Sequence, residues 1–167
     1  MIRVLAAAVA VLTVFSARAQ TAEPLTRHAV YGEAFGNALL YSVNYERRLN
    51  DRVIGRIGLS VAPFEDDEGG ETETVVLVPL MVSSISHPRS NHHFEAGIGL
   101  LIAGGERVEL ADFGDDDESF STAVGTATIG YRYQRPGGGF VFRAGLTPLF
   151  DFETLLPWLG VSFGRSF

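Results

Sequence analysis

Hydrophobic and polar residues alternate with a period of two through most of the chain. Between Leu39 and Leu49 the odd positions are apolar or aromatic as far as Tyr45, and the even positions from Ser42 to Arg48 are polar. This period is the signature of a β-strand with one face in an apolar environment. We find no convincing helical period and no helix start signal. The chain is therefore predicted to be all-β.

Eight segments of this kind can be counted. The clear alternation recurs in five further segments, which are Val53–Ala62, Phe94–Ile102, Thr122–Gln134, Phe140–Thr147 and Trp158–Phe167. Two weaker segments, Val30–Phe35 and Thr74–Ile85, complete the set. Thr74–Ile85 is apolar on both faces, which leaves its register open, and Pro79 inside it is awkward for a hydrogen-bonded ladder. Eight strands joined in chain order predict an antiparallel up-and-down meander.

The connections between the strands differ in length and charge. The turns Asn50–Arg52, Ser86–Asn91 and Pro136–Gly139 are short or compact. Between them lie two long segments, Pro63–Glu73 and Gly104–Ser119, which contain thirteen of the twenty acidic residues. In a meander both long segments fall at the same end of the sheet.

The first nineteen residues have the pattern of a secretory signal peptide. Arg3 precedes the apolar run Val4–Phe15, and Ala17–Ala19 forms an A-x-A cleavage site. The run is shorter than the roughly 20 residues of a membrane-spanning helix. We therefore predict that residues 1–19 are removed, that residues 20–27 are a periplasmic lead-in, and that residues 28–167 form the folded domain.

Composition excludes several classes of protein. The chain has no cysteine, so it has neither a disulfide scaffold nor a thiol nucleophile. The net charge is −7, whereas a nucleic-acid-binding protein needs a basic face. A hydrophobic content of 46% is too high for a disordered chain. No cofactor is predicted.

The two faces of the strands indicate a membrane barrel. One face is rich in Phe, Tyr, Leu, Ile and Val, and the other carries mostly Gly, Ser, Thr and single charges. Small residues fit the lumen of a narrow barrel, and an apolar face with aromatic girdles fits lipid. Turning Arg56, Arg132 and Arg143 towards lipid would cost up to about 6–12 kcal/mol, at roughly 2–4 kcal/mol each. That cost rivals the whole stability of a domain, about 5–15 kcal/mol, so the arginines are expected inside.

Five charged residues are predicted to meet in the lumen. Hairpin counting, in which residues are counted outward from a short turn along both strands, places Glu46 near Arg56 and Arg132 near Arg143. Glu95 begins the strand before the one that carries Arg132. We expect all five near the short-turn end. They form either a gate or binding site, or an ion-pair network that plugs a barrel too narrow to conduct, and the second interpretation is favoured. The face assignment of Glu33, in the first strand, stays open.

Other motifs give weaker indications. Gly160–Gly164 reads G-x-S-x-G, but a nucleophile elbow needs a following helix, so we interpret it as a row of small lumen residues. His87, His92 and His93 are interpreted as turn residues, because neighbouring strand residues face opposite ways and do not share a metal. The acidic segments could chelate Ca²⁺ or Mg²⁺, although solvated loops are the simpler interpretation. Four aromatic residues are candidates for the membrane interface, namely Trp158, Tyr31, Tyr131 and Tyr133.

The signal peptide, the eight alternating segments, the asymmetric connections and the terminal Phe167 together resemble the small eight-stranded bacterial outer-membrane β-barrels of the OmpX and OmpA-barrel type. The resemblance implies a cell outer-membrane location, periplasmic termini and extracellular acidic loops. It also implies that the last strand is recognised by the barrel-assembly machinery through alternate apolar residues and a final aromatic residue. Here these are Leu159, Val161, Phe163 and Phe167, whereas Arg165 breaks the pattern.

The predicted function is a structural or surface-interaction barrel that contacts outer-membrane lipids and lipopolysaccharide. Three alternatives stay open. One is an enzyme acting on lipid A or phospholipid, which would need Ser, His and an acid together at the loop side. Another is a small transport barrel. The third is a periplasmic lipocalin-like barrel, which would turn its aromatic face inward around an apolar ligand.

Overall fold

The computed structural model describes residues 24–65, 72–104, 121–151 and 153–167. Ten strands form one antiparallel sheet, and they are β1 (His28–Phe35), β2 (Tyr41–Arg48), β3 (Val53–Glu65), β4 (Thr72–Ile85), β5 (His92–Gly104), β6 (Ser121–Gln134), β7 (Gly139–Leu146), β8 (Leu149–Phe150), β9 (Leu155–Leu156) and β10 (Leu159–Ser166). A single 3₁₀ turn, Gly36–Ala38, follows β1. No helix within the described ranges has the length and apolarity to span a membrane.

Eight of these strands close into a barrel. The strands β1 to β7 pair in chain order, and β10 pairs with both β7 and β1. The remaining two strands, β8 and β9, form a small hairpin that pairs with β6 at Gly125 and Thr126. The predicted eight-stranded antiparallel barrel is confirmed, and closure gives each of the eight strands a paired neighbour on both sides.

The strands differ in length around the barrel. Strands β3 to β6 have 13 or 14 residues, whereas β1, β2, β7 and β10 have 8. The first acidic segment is consequently shorter than predicted, because β3 continues to Glu65 and β4 begins at Thr72. Its residues 66–71, and residues 105–119 of the second segment, lie outside the described residues.

The register of β4 is resolved by its neighbours. Val75, Leu77, Met81 and Ile85 are buried in the lumen, while Val82 on the other face is 54% exposed. The β3–β4 ladder has no partner pairs between Ile57–Leu80 and Ser60–Leu77. Pro79 and Gly58 occupy this gap, as expected for a proline that cannot donate to the ladder.

The apolar and aromatic face lies outside the barrel. Val43, Ile98 and Leu159 are each more than 60% exposed, whereas Arg132 and Glu46 are 1% exposed. The lipocalin-like alternative needed the aromatic face in the lumen and the charges outside, so it is wrong.

Candidate functional site

The lumen half nearest the short turns contains a buried layer of charged residues. Three arginines and three glutamates surround one tyrosine, and we call this set the ionic layer; its members are Glu33, Glu46, Arg56, Glu95, Arg132, Arg143 and Tyr31. Each of these residues is no more than 5% exposed. The charges balance in number, which a buried site requires because an unpaired charge in a low-dielectric interior is costly.

Glu95 on β5 holds two of the arginines. Its carboxylate accepts hydrogen bonds from Arg143 Nε at 3.0 Å and Nη2 at 2.9 Å, a bidentate arrangement. Arg132 Nη1 donates to the same carboxylate at 3.3 Å. Arg132 and Arg143 are direct partners in the β6–β7 ladder, so a carboxylate between them offsets the repulsion of adjacent like charges.

Glu46 and Glu33 complete the pairing. Arg132 Nη2 lies 2.5 Å from Glu46 Oε2. Glu33 Oε1 lies 3.4 Å from Arg56 Nη1 and 3.5 Å from Arg143 Nη1. Glu46 and Arg56 are ladder partners on β2 and β3, as the hairpin counting predicts. The carboxylate that Arg56 contacts nevertheless belongs to β1.

Tyr31 lies at the centre of the ionic layer. Its hydroxyl donates to Glu46 Oε1 at 2.6 Å and accepts from Arg143 Nη1 at 2.8 Å and Arg56 Nη1 at 3.3 Å. The Arg143 guanidinium also lies 5.0 Å from the centre of the Tyr31 ring, within cation–π range. The prediction that Tyr31 is an interfacial residue is therefore wrong, because its position on β1 faces the lumen.

The 3₁₀ turn Gly36–Ala38 folds into the barrel above the ionic layer. Asn37 is fully buried and accepts a hydrogen bond from Arg56 Nη2 at 2.5 Å. Its amide donates to Thr126 Oγ1 at 2.7 Å and to the Ala127 carbonyl at 3.0 Å. The connection between β1 and β2, which the sequence indicates only as a turn, thus supplies a lumen residue.

An apolar layer fills the lumen half nearer the long connections. Its buried members, defined here as the apolar layer, are Ala38, Val75, Leu77, Leu101, Ala103, Val124 and Leu149. The alternation of the strands predicts mostly small residues and charges inside, and this half of the lumen corrects that prediction. The reason is geometric, because narrow barrels are filled by side chains and residues far from the ionic layer have no charged partners.

Little space is left beside the ionic layer. A cavity of about 10 Å³ is lined by Glu33, Glu95, Thr147 and Ser162, among others. This volume is close to the minimum needed for one water molecule. Ser162, in the G-x-S-x-G segment, donates to Glu33 Oε1 at 3.1 Å from within β10.

The histidines do not converge on a site. His93 is buried and its ring nitrogens contact the Ser86 and Gln134 carbonyls at 2.8 and 3.2 Å. His92 faces outward and contacts the Tyr131 hydroxyl at 2.6 Å. In the described part of the chain, no three His, Asp or Glu side chains are grouped to hold a metal. The acidic segments, which could chelate cations but are more simply interpreted as solvated loops, fall mostly outside that part.

The predicted assembly residues and the other three predicted interfacial aromatics lie on the outer surface. Leu159, Phe163 and Phe167 are 55 to 64% exposed on or directly after β10, and Val161 lies on the same face between Leu159 and Phe163. Tyr131 and Tyr133 are near the short-turn end. Trp158 precedes β10 at the opposite end, where its indole donates to the Leu39 carbonyl at 3.1 Å.

The sequence reasoning missed three members of the site, namely Tyr31, Glu33 and Asn37. Tyr31 and Glu33 share one face of β1 with Ala29, because they alternate with Val30, Gly32 and Ala34. Aligning β1 with the strongly patterned β2 would place both residues in the lumen. Asn37 is outside any strand, so no periodicity could find it.

Comparison with known proteins supports the fold. No protein-family model matches the sequence, and no curated protein sequence matches it either. The structure is similar to the crystal structure of the N-terminal β-barrel domain of Pseudomonas aeruginosa OprF, with a TM-score of 0.59 and 16% sequence identity. The match covers 85% of this chain and 96% of the OprF domain. The chain thus shares the β-barrel fold of that domain.

Proposed function

We propose that the protein spans the bacterial outer membrane as a structural or surface-interaction barrel whose lumen is closed. The observation that carries this proposal is the distribution of polar and apolar side chains, which is the reverse of that in a water-soluble protein. Six ionised side chains are buried inside the barrel, and a continuous apolar surface lies outside. Contiguous apolar surfaces much larger than a few hundred Å² are rare on water-soluble monomers and mark interaction sites. A closed barrel is also the β-structure that satisfies every backbone group in lipid.

The lumen is closed by two layers in series. An ion that crossed it would have to displace the ion pairs of Arg132 and Arg143 and then pass Leu77 and Leu101. Eight strands leave an interior just wide enough for side chains, and the cavity beside the ionic layer admits about one water. These features support a non-conducting barrel over the transport alternative.

The proposed partners follow from the surface. Outer-membrane lipids and lipopolysaccharide surround the apolar face, and the assembly machinery recognises the alternating residues of β10. The two acidic segments connect strands at the same end of the meander as the 3₁₀ turn. In the outer membrane this end is extracellular, where carboxylates bridge to lipopolysaccharide phosphates through divalent cations.

An enzyme acting on lipid A is disfavoured by the histidine positions. Such an enzyme needs a base within hydrogen-bond reach of its nucleophile at the loop side. All four histidines, His28, His87, His92 and His93, belong to the short-turn end.

Gel mobility tests the proposed function. The outer-membrane fraction of expressing cells is run on a denaturing gel with and without boiling. A faster unboiled band is expected, because a closed barrel resists detergent until it is heated. The same material reconstituted in planar bilayers should show no channel activity. Release of the protein with the soluble periplasmic fraction, without a mobility shift, would overturn the proposal.

A further inference from the structure

Arginine side chains are concentrated on the exposed surface of the short-turn end. Six of them are exposed there, namely Arg27, Arg47, Arg52, Arg89, Arg135 and Arg165. Within the described residues, Asp51 is the acidic side chain at this surface, and it lies 3.8 Å from Arg89. Asp151 and Glu153 are at the other end, as are the acidic segments. The molecule is therefore polarised, with its positive end at the short turns.

Two of these arginines lie on the lipid-facing side of the two strands that flank β1. Arg47 on β2 is the ladder partner of His28 on β1, and Arg165 on β10 is the ladder partner of Val30, two residues further along β1. Neither arginine forms an ion pair with any described residue. Arg165 is the residue that interrupts the apolar pattern of the last strand.

Aromatic rings frame the space between the two arginines. The His28 ring stacks on Tyr45 and on Phe167, with 5.9 Å between ring centres in each case, and its Nδ1 lies 2.7 Å from the Tyr45 hydroxyl. Phe140 is the ladder partner of Arg165 on the other side. Two guanidinium groups above a ring-lined apolar surface suit a ligand with an anionic head and an apolar body.

A shallow groove runs from this site along β1. Beyond Val30 the outward residues of β1 are the small Gly32 and Ala34, whereas the ladder partners of Gly32 on the flanking strands are the larger Val43 and Phe163. A Cβ added at Gly32 would meet no atom within 4 Å. The floor of the groove therefore has room for an acyl chain.

We infer that Arg47 and Arg165 bind the head group of an anionic phospholipid, with one acyl chain in the β1 groove. This inference rests on the proposed function, since the groove must face the bilayer. Guanidinium groups form bidentate hydrogen bonds to phosphate oxygens, and an anionic lipid also matches the net positive charge of this end. The site belongs to the leaflet at the short-turn end, which is the periplasmic leaflet.

Native mass spectrometry of the full chain in detergent tests the inference, with equimolar phosphatidylglycerol and phosphatidylcholine as probes. The wild-type barrel should retain one phosphatidylglycerol in preference to phosphatidylcholine. The double variant Arg47→Gln/Arg165→Gln should retain it roughly thirtyfold less well, because each arginine near an anionic head group contributes about fivefold. The matched double variant Arg52→Gln/Arg135→Gln removes the same charge from the turns and should retain it as the wild type does.

A second variant tests the groove separately. The Cβ of a leucine at position 32 meets open space on β1, so the Gly32→Leu variant should fold and yet lose the bound lipid. Equal loss of phosphatidylglycerol in both arginine double variants, or retention of this lipid by the Gly32→Leu variant, would overturn the proposed site. Insertion into vesicles of pure phosphatidylcholine is measured in parallel. A wild type that does not insert refutes the proposed function, whereas one that inserts but shows no preference for phosphatidylglycerol refutes this inference alone.

Discussion

Arg132 and Glu46 form an ion pair across the full width of the lumen, with 2.5 Å between Nη2 and Oε2. Strand β6, which carries Arg132, and strand β2, which carries Glu46, are four strands apart in either direction around the barrel. The ionic layer therefore joins opposite walls. It stabilises the closed barrel only if its charges are all partnered, because each ion has lost its hydration.

Replacing Arg143 with leucine should destabilise the barrel by about 3–5 kcal/mol, since the Glu95 carboxylate would lose its bidentate partner in a buried site. The measurement is the urea midpoint of unfolding in detergent micelles. Arg52→Leu is the control, because Arg52 is exposed in the β2–β3 turn and its replacement should change stability by no more than about 0.5 kcal/mol. Equal midpoints for Arg143→Leu and wild type would show that the ionic layer does not stabilise the fold.

Tyr31→Phe should cost about 1–3 kcal/mol, because it removes the hydroxyl that donates to Glu46 and accepts from Arg143. Tyr45→Phe is matched to it in chemistry, but the Tyr45 hydroxyl contacts His28 at the exposed surface. The control should lose clearly less stability in the same urea titration. A larger loss for Tyr45→Phe than for Tyr31→Phe would contradict the central position of Tyr31.

Gly160→Ala should destabilise the barrel by about 1–3 kcal/mol through overpacking. A Cβ at Gly160 would lie 2.7 Å from the Gly36 Cα, where the 3₁₀ turn enters the lumen. Gly32→Ala is the control on the outer face of β1, where an added methyl group meets open space. Thermal unfolding followed by the gel shift compares the two variants, and similar transitions would argue against a folded-in 3₁₀ turn.

Neighbouring leucines on β5 test the apolar layer. Leu101 is 1% exposed in the lumen, whereas Leu100 is 49% exposed on the outer face. Leu101→Ala should cost about 2–5 kcal/mol, the usual range for a buried leucine, and Leu100→Ala clearly less. The reverse order in urea unfolding would mean that β5 is assigned to the wrong face.

Much of the fold could be predicted from the sequence because the side-chain period of a strand is a local property. The alternation from Ser42 to Arg48 defines β2, and the short turn at Asn50 then sets its pairing with β3. The β8–β9 hairpin was not predicted, since its strands have two residues each and are too short to show a period.

The ionic layer could be predicted only in part. Hairpin counting correctly places Glu46 beside Arg56, but it gives neighbours within one hairpin and not contacts across the lumen. The lumen position of Glu33 could not be predicted, because the small residues of β1 do not show which face of the strand is apolar. Tyr31 was misplaced because tyrosine suits both a membrane interface and a buried polar network, and the choice depends on partners from distant strands.

The most direct test of the membrane barrel is the environment of two exposed residues in the middle of its outer face. Val43 on β2 and Ile98 on β5 are each 63% exposed. The chain has no cysteine, so a single spin label can be placed at each as Val43→Cys or Ile98→Cys. In phosphatidylcholine bilayers both labels should collide readily with oxygen and rarely with a water-soluble nickel chelate. Free access of the chelate to both labels would show that these faces meet water, and would contradict the membrane barrel.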